Sequence, residues 1–200
     1  CTFGDNHHLA MSAPHQAYCM IDADEINVES VTAFLVDTIL PKLPSNIEKI
    51  ELSLKPEHSQ SFYYHYSHGL KKHDGNCQRI IHGHRSQIGI SLDGISMPRL
   101  QKEWAMQWED IYLATSEDQI EPQNLKHISA RDNDVCFAYT SAQGYFEMAI
   151  CETRCDILPI DTTVECIAGY IAGQVKAKHP EQNVKITAYE GVGKGAISYA

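Results

Sequence analysis

The 200-residue sequence lacks the features that mark membrane-spanning, nucleic-acid-binding and exported proteins. No apolar run approaches the ~20 residues that span a bilayer, and the first eight residues lack the basic and apolar regions of a signal peptide. Sixteen Lys and Arg against twenty-six Asp and Glu give a net charge of −10, which leaves no basic field for nucleic acid or anionic lipid. We therefore expect a soluble, cytoplasmic protein whose partners are small molecules or proteins, with no nucleic acid and no membrane among them.

The sequence also lacks a paired set of cysteines. Its seven cysteines are an odd, scattered set in a chain without an export signal, so we expect reduced thiols, most of them buried as small apolar groups. Cys1 stands where an initiator methionine would stand, and this predicts that the chain is a fragment of a longer protein.

Apolar periodicity predicts an alternation of helices and strands. Apolar residues recur every three or four positions in three segments, which predicts amphipathic helices over 28–40, 97–114 and 164–178. Alternating, β-branched and aromatic residues predict strands over 50–54, 61–68, 78–92, 135–139, 145–150 and 184–190. The polar stretch 116–134 is expected to be a long connection. These elements predict an α+β protein.

Two parts of the chain resemble each other. Segment 19–29 and segment 155–165 both begin with Cys and end with Val-Glu, and each leads into a predicted helix, a proline-containing break and a strand. The two copies lie 136 residues apart, which is about one domain length. We therefore predict that residues 1–57 are the C-terminal part of a first, degenerate unit and that residues 58–200 are a complete second unit.

The sharpest local pattern is His82-Gly83-His84. Side chains two positions apart in a strand point to the same face, so both imidazoles can approach one ion, and Gly83 is expected to leave room for it. His68 lies near the end of the preceding predicted strand, fourteen residues before His82, which suits a hairpin. Three neutral imidazoles with an open fourth position are typical of catalytic zinc. Because the chain has eleven histidines, a chance pair is the alternative interpretation.

Cys77 lies five residues before His82 and follows the polar loop His73-Asp74-Gly75-Asn76. A thiol loses its proton more readily beside a dication and histidines, so Cys77 is a candidate proton acceptor. A free buried cysteine is the alternative interpretation.

Taken together, these motifs resemble the 6-pyruvoyl- and 6-carboxytetrahydropterin synthase family. The strand histidine within 64–70, the loop cysteine and the His-Gly-His strand follow the order of the family pattern. Thr162-Thr163-Val164-Glu165 is similar to the family's helix start, and Glu190 with the segment that runs to Tyr199 is similar to its closing glutamate segment. The resemblance spans residues 62–200.

The resemblance implies a fold and an assembly. The fold is a tunnelling fold, in which two helices cover one face of a four-stranded antiparallel sheet, and the chain's first 57 residues would be the tail of a degenerate unit of the same kind. Such units assemble as homo-oligomeric rings with active sites at subunit interfaces.

The resemblance also implies roles for individual residues. The zinc ligands would be His68, His82 and His84, with Cys77 as the general base. Glu190 would anchor the pterin ring, because a carboxylate can accept two parallel hydrogen bonds from it. Thr162 and Thr163 would supply further pterin contacts, although a helix N-cap explains either threonine equally well.

One element of the family pattern is missing. The family has an Asp-His pair for proton transfer shortly before the Thr-Thr-x-Glu helix, but residues 152–161 contain no histidine. Asp5 lies near His7 and His8 without forming an adjacent pair. We expect the pair upstream of Cys1, with the two units sharing the work, and an Asp-His pair beside the metal within residues 62–200 would remove the basis for this hypothesis.

By resemblance the substrate is 7,8-dihydroneopterin triphosphate. The short spacing between Cys77 and His82 favours the branch that forms 6-carboxy-5,6,7,8-tetrahydropterin for queuosine biosynthesis over the branch that forms a 6-pyruvoyl product. One rival is a non-catalytic pterin-binding or assembly protein with a vestigial zinc site. Another is a zinc hydrolase in which Glu165 or Glu190 reaches the metal-bound water.

Overall fold

A computed structural model describes residues 2–3, 7–54, 61–191 and 193–200. The strands are β1 (Thr2–Phe3), β2 (His7–Ser12), β3 (Tyr63–His68), β4 (His82–Leu92), β5 (Ile95–Ser96), β6 (Ile111–Thr115), β7 (Gln119–Ile120), β8 (Asp134–Ser141), β9 (Gly144–Cys151), β10 (Cys155–Leu158), β11 (Val184–Tyr189) and β12 (Gly195–Tyr199). The α-helices are α1 (Val28–Ile39), α2 (Pro98–Gln107) and α3 (Val164–Lys178). Every helix among the described residues is too short or too polar to cross a bilayer.

The central sheet has the order β10-β6-β3-β4-β11-β12, and β5 pairs with β4. Its strands β3, β4, β11 and β12 are antiparallel neighbours, whereas β6 and β10 extend the β3 edge by parallel pairing. Side chains from α2 and α3 share one hydrophobic core with alternate residues of β3, β4 and β11. Both helices therefore cover the same face, and the predicted α+β tunnelling fold is confirmed.

Helix α3 shows why the sequence folds in this way. Its buried residues recur at helical spacing, so that one apolar stripe faces the sheet: Val164, Ile167, Ala168, Ile171, Ala172 and Val175. Full burial of a Val or Ile side chain stabilises a fold by roughly 1.5–3 kcal/mol relative to exposure. Thr163 begins the helix as its N-cap and accepts a hydrogen bond from the backbone N–H of Cys166. The predicted cap and helix are confirmed.

A second sheet has the order β1-β2-β9-β8-β7. The hairpin of β8 and β9 forms its centre and confirms the strands predicted over 135–139 and 145–150, and β2 pairs with β9. A separate hydrophobic core lies against this hairpin and includes Phe137, Phe146 and Met148. Segment 116–134 is more ordered than the long connection that was predicted, because it contains two 3-10 turns and β7.

The chain divides into two compact units, residues 18–58 and the remainder. In the smaller unit, α1 confirms the predicted helix, and Asn27 and Ser30 form a reciprocal capping box at its start. The predicted strand over 50–54 is wrong, since these residues form no ladder among the described strands. The predicted boundary near residue 57 falls within 55–60, outside the described residues, and the degenerate first unit stays a prediction.

The predicted helix over 97–114 is also wrong in its second half. Helix α2 ends at Gln107, and β6 begins at Ile111. Asp110 has a backbone φ of 53°, a left-handed conformation that a continuing helix does not allow. The tryptophans at 104 and 108 nonetheless pack in the core, as their spacing predicts.

Candidate metal and pterin site

The antiparallel pairing of β3 with β4 brings three histidines together. His68 is the register partner of His82, and Tyr66 is the partner of His84. Because side chains alternate along a strand, all three imidazoles lie on the face that carries the core residues Tyr64 and Tyr66. The histidine cluster, which is the name used below for His68, His82 and His84, thus continues the helix-covered face of the sheet beyond its apolar part.

The three imidazoles are close enough to share one ion. One ring nitrogen from each lies within 4.8 Å of those from the other two. The centroids of the rings are 4.2 Å apart for His68 and His82, and 5.1 and 5.0 Å from these two to His84. Gly83 is not needed to make room for this approach, since a Cβ there would meet only the carbonyl oxygen of Tyr66 at 3.8 Å.

Hydrogen bonds hold two of the rings by their Nδ1 atoms. Nδ1 of His68 lies 2.9 Å from Oγ1 of Thr162, and Nδ1 of His82 lies 3.2 Å from the carbonyl oxygen of Arg79. The Nε2 atoms of all three histidines are buried and form no hydrogen bond with any described residue. Metal-binding histidines are arranged in the same way, with one nitrogen held and the other free for the ion. The donor set therefore fits zinc.

The surroundings favour neutral imidazoles. Burial lowers the pKa of His68 well below its usual value, and the nearby His82 and His84 lower it further. Burial likewise lowers the pKa of His82 and of His84, although Glu190 opposes the shift at both. Neutral imidazole is the form that binds a metal ion.

Glu190 extends the site beyond the three histidines. Its Oε1 lies 3.3 Å from Nε2 of His84, and its Oε2 lies 3.0 Å from Nζ of Lys194. The carboxylate is mostly buried, with a side chain that is 11% exposed. Gly191, at a φ of 75°, turns the chain directly after Glu190 and donates its N–H to the carbonyl oxygen of Arg85. This turn holds Glu190, the closing glutamate, beside His84.

Cys77 lies in a 3-10 turn, Gly75–Gln78, between β3 and β4. Its thiol is free and half-buried, and its carbonyl oxygen accepts a hydrogen bond from the N–H of Leu70. Glu190 raises the pKa of Lys194, with smaller contributions from Cys77 and Glu165.

The two threonines occupy different positions. Thr162 is fully buried and contacts His68, whereas Thr163 is the N-cap of α3. The contact between Thr162 and His68 joins residues 94 positions apart, and no sequence pattern pointed to it. Two further residues of the site were not identified as site residues from the sequence. Lys194 pairs with Glu190, and His73 contributes to the lowered pKa of His68 and of His82.

Among the described residues, two His-Asp pairs occur, and both lie away from the cluster. His65 and Asp110 are 3.7 Å apart, and His65 points to the opposite face of β3 from His68. His8 and Asp134 are 3.0 Å apart. The residues that follow them, Leu9 and Val135, face the second core. Because side chains alternate along a strand, His8 and Asp134 lie on the other face of the second sheet. Neither pair replaces the missing proton-relay dyad.

The family model described as 6-pyruvoyl tetrahydropterin synthase matches residues 57–198. The chain belongs to this family. Enzymes of the 6-pyruvoyl tetrahydropterin synthase family are lyases that act on pterins. The match confirms the resemblance that the motifs predicted, and it covers every residue of the candidate site.

Solved structures of this family also resemble the chain. A 6-pyruvoyltetrahydropterin synthase from Plasmodium vivax, in a variant with a catalytic residue replaced, is 16% identical, with a TM-score of 0.49 over 70% of this chain and 91% of that chain. The Plasmodium falciparum protein is 18% identical, with a TM-score of 0.49 over 71% of this chain and 93% of that chain. No curated protein sequence matches.

Proposed function

We propose that the chain is a cytoplasmic, zinc-dependent lyase that acts on 7,8-dihydroneopterin triphosphate and forms 6-carboxy-5,6,7,8-tetrahydropterin for queuosine biosynthesis. The observation that carries the proposal is the histidine cluster: its three buried Nε2 atoms form no hydrogen bond with a described residue, and only that of His84 has an ion-pair contact, with the mostly buried Glu190. Unpartnered buried polar atoms are costly, so their convergence supports a bound ligand at that point. Membership of a pterin-synthase family supports the substrate class.

In this proposal zinc is held by Nε2 of His68, His82 and His84. When bound, zinc would act as a Lewis acid that polarises the side-chain oxygens of the substrate and lowers the pKa of their protons. Thr162 and the carbonyl oxygen of Arg79 keep two of the rings turned toward the ion.

Glu190 would bind the pterin ring through its two carboxylate oxygens. Its position 3.3 Å from His84 supports this role, since a ring held there lies next to the metal ligands. Thr163 is half-buried at the start of α3 and would contribute a further pterin contact. Thr162, the other predicted pterin contact, is fully buried. It would contribute to pterin binding by holding the ring of His68.

Cys77 would act as the general base. Its turn precedes β4, and the Gly69-Leu70 segment after His68 passes directly against it. A Cβ at Gly69 would lie 2.8 Å from Cα of Ile80, so only glycine fits where the chain passes Ile80 after His68. The spacing of Cys77 from His82 supports the carboxy-forming branch, and formation of a 6-pyruvoyl product is the alternative.

We also propose that the protein assembles as a homo-oligomer with active sites at subunit interfaces. The outer edge of β12 has no strand partner in the described part of the chain. Two large side chains on this strand, Ile197 and Tyr199, are 56% and 71% exposed. A free strand edge with exposed apolar side chains supports pairing with another subunit.

A second candidate function is a non-catalytic pterin-binding or assembly protein with a vestigial zinc site. The position of the two His-Asp pairs favours it, because neither His8-Asp134 nor His65-Asp110 lies beside the cluster. A site without its proton relay would still bind zinc and pterin.

The discriminating experiment is incubation of the zinc-loaded protein with 7,8-dihydroneopterin triphosphate, with product mass and acetaldehyde both measured. The proposed function predicts 6-carboxytetrahydropterin with an equivalent of acetaldehyde, and loss of turnover in Cys77→Ala with pterin binding retained. A 6-pyruvoyl product without acetaldehyde supports the other branch. Pterin binding without turnover in the unmodified protein supports the second candidate and contradicts the first.

A further inference from the structure

A cavity of about 300 Å³ lies on the face of the central sheet opposite the histidine cluster. Ser67 and Ile81 line it, and these residues alternate with His68 and His82 along the chain. Its other walls include Leu9 of β2 and Ile150 of β9, so the cavity lies between the two sheets. The cavity is thus separate from the proposed active site.

The composition of the walls is typical of a small-molecule pocket. Leu9, Ile81, Ile111 and Ile150 supply branched apolar side chains. Ligand pockets of ~300–1,000 Å³ are mostly apolar and contain a few polar groups that fix the orientation of the ligand. The polar groups here include one arginine and one aspartate.

The arginine is the unusual member of this lining. Arg154 is half-buried, yet its side chain has no hydrogen bond, ion pair or ring contact with any described residue. A guanidinium that the protein leaves unpaired can donate its N–H groups to a ligand. The guanidinium of Arg154 is therefore available to an anionic ligand in the cavity.

We propose that this cavity binds a small monocarboxylate with an apolar body, and that Arg154 holds its carboxylate. A guanidinium matches the two oxygens of a carboxylate with parallel hydrogen bonds. The apolar body would then lie against Leu9, Ile81 and Ile150. The proposal does not depend on the proposed pterin chemistry.

The remaining charge at the cavity selects against other ligands. Asp110 lines the same cavity, and its side chain is 68% exposed and 3.7 Å from His65. A phosphate ester or a polyanion would carry more charge than a single arginine can neutralise, and Asp110 would repel it. A cationic ligand would be repelled by the guanidinium of Arg154. A single negative charge at the end of an apolar molecule is neutralised by Arg154 and is repelled by the exposed Asp110 less than a polyanion is.

Benzoate is the probe for this site, with benzamide as its uncharged isostere. Isothermal titration of the full chain is expected to show benzoate binding that is at least about tenfold tighter than benzamide binding, since a charge-assisted pair is lost in the amide. Arg154→Gln should weaken benzoate binding by a similar factor and leave benzamide binding unchanged. The matched control is Arg131→Gln, because Arg131 is exposed and does not line the cavity.

Methyl-labelled NMR locates the site. Benzoate should shift the methyl resonances of Ile81, Ile111 and Ile150 in the unmodified protein. Three results would overturn the proposal: no benzoate binding, equal binding of benzamide, or shifts confined to residues outside the cavity. Unchanged benzoate binding in a folded Arg154→Gln variant would also overturn it.

Discussion

Buried polar side chains differ in their hydrogen bonding between the two sheets. In the second sheet, Glu147 is completely buried, and both of its oxygens are satisfied: Oε1 accepts from the N–H of His127 at 2.6 Å, and Oε2 from the N–H of Lys126 at 2.7 Å and the hydroxyl of Tyr145 at 3.0 Å. In the central sheet, the histidine cluster buries three Nε2 atoms that form no hydrogen bond with any described residue, although that of His84 lies 3.3 Å from Oε1 of Glu190.

The difference separates stability from function. A buried group with all its hydrogen bonds made contributes to the fold, and its removal leaves other groups unsatisfied. A set of buried groups left unsatisfied and pointing together costs stability, and such sets are typical of ligand and metal sites. Glu147 thus fixes segment 126–127 on the hairpin, whereas the histidine cluster has the geometry of a metal site.

The largest expected effect is on metal binding by His82→Ala. With one of three ligands removed, the zinc content of the purified protein should fall from about one ion per chain to nearly none. The free energy of unfolding of the metal-free protein should change little, because removal of the unsatisfied Nε2 atom offsets the loss of the hydrogen bond between Nδ1 and the carbonyl oxygen of Arg79. His65→Ala is the control, since His65 lies on the opposite face of β3. Elemental analysis and denaturant unfolding measure the two quantities, and zinc retained in His82→Ala would break the comparison.

Glu147→Gln should show the reverse pattern. An amide cannot accept all the hydrogen bonds of the carboxylate, so we expect a loss of about 2–4 kcal/mol in the free energy of unfolding with zinc content unchanged. Glu109→Gln, at an exposed position, is the control. A Glu147→Gln variant as stable as its parent would contradict the assignment of Glu147 to stability.

The same carboxylate makes stability depend on pH. Although burial opposes the shift, the N–H groups of Lys126 and His127 hold the pKa of Glu147 below its usual value in the folded state. Its contribution is therefore present above the unfolded pKa of about 4.3 and is lost as the pH falls through the lower, folded pKa. Unfolding measured from pH 6 to pH 3 should show a smaller loss of stability for Glu147→Gln than for its parent.

Glu190→Gln tests the carboxylate of the central sheet. We expect pterin binding to weaken by about 10–100-fold, because one charge-assisted hydrogen bond is lost, with little effect on zinc content. Glu165→Gln is the matched control on the exposed side of α3. Fluorescence titration with a pterin measures both, and equal effects of the two variants would remove Glu190 from the pterin site.

The smallest effects distinguish the adjacent threonines. Thr162→Val removes the partner of Nδ1 of His68 and should weaken zinc binding by about 10–100-fold. Thr163→Val removes the N-cap of α3 and should cost about 1 kcal/mol of stability without changing zinc affinity. Competition with a zinc chelator and thermal unfolding separate the two outcomes, and the opposite assignment of effects would contradict the geometry.

Short-range patterns predicted much of this site. The two-residue spacing of His82 and His84 fixed their shared face, and the fourteen-residue separation from His68 matched the hairpin whose register pairs His68 with His82. Contacts across the fold could not be predicted in this way. Thr162 meets His68, and Glu190 meets His84, only because α3 and β11 pack against the first hairpin.

The errors in the fold have a similar cause. Strand β6 is buried on both faces, so its apolar run carries no alternation and continued the helical period of α2. Segment 50–54 alternates like a strand, but pairing requires a neighbour, which local sequence does not reveal.

X-ray absorption at the zinc edge of the metal-loaded protein tests the central claim most directly. The account predicts one zinc per chain with three nitrogen ligands at about 2.0–2.1 Å, completed by an oxygen ligand and without sulfur scattering. A sulfur contribution at about 2.3 Å, or a spectrum unchanged in His82→Ala, would show that the metal is not held by the three histidines and would contradict the account.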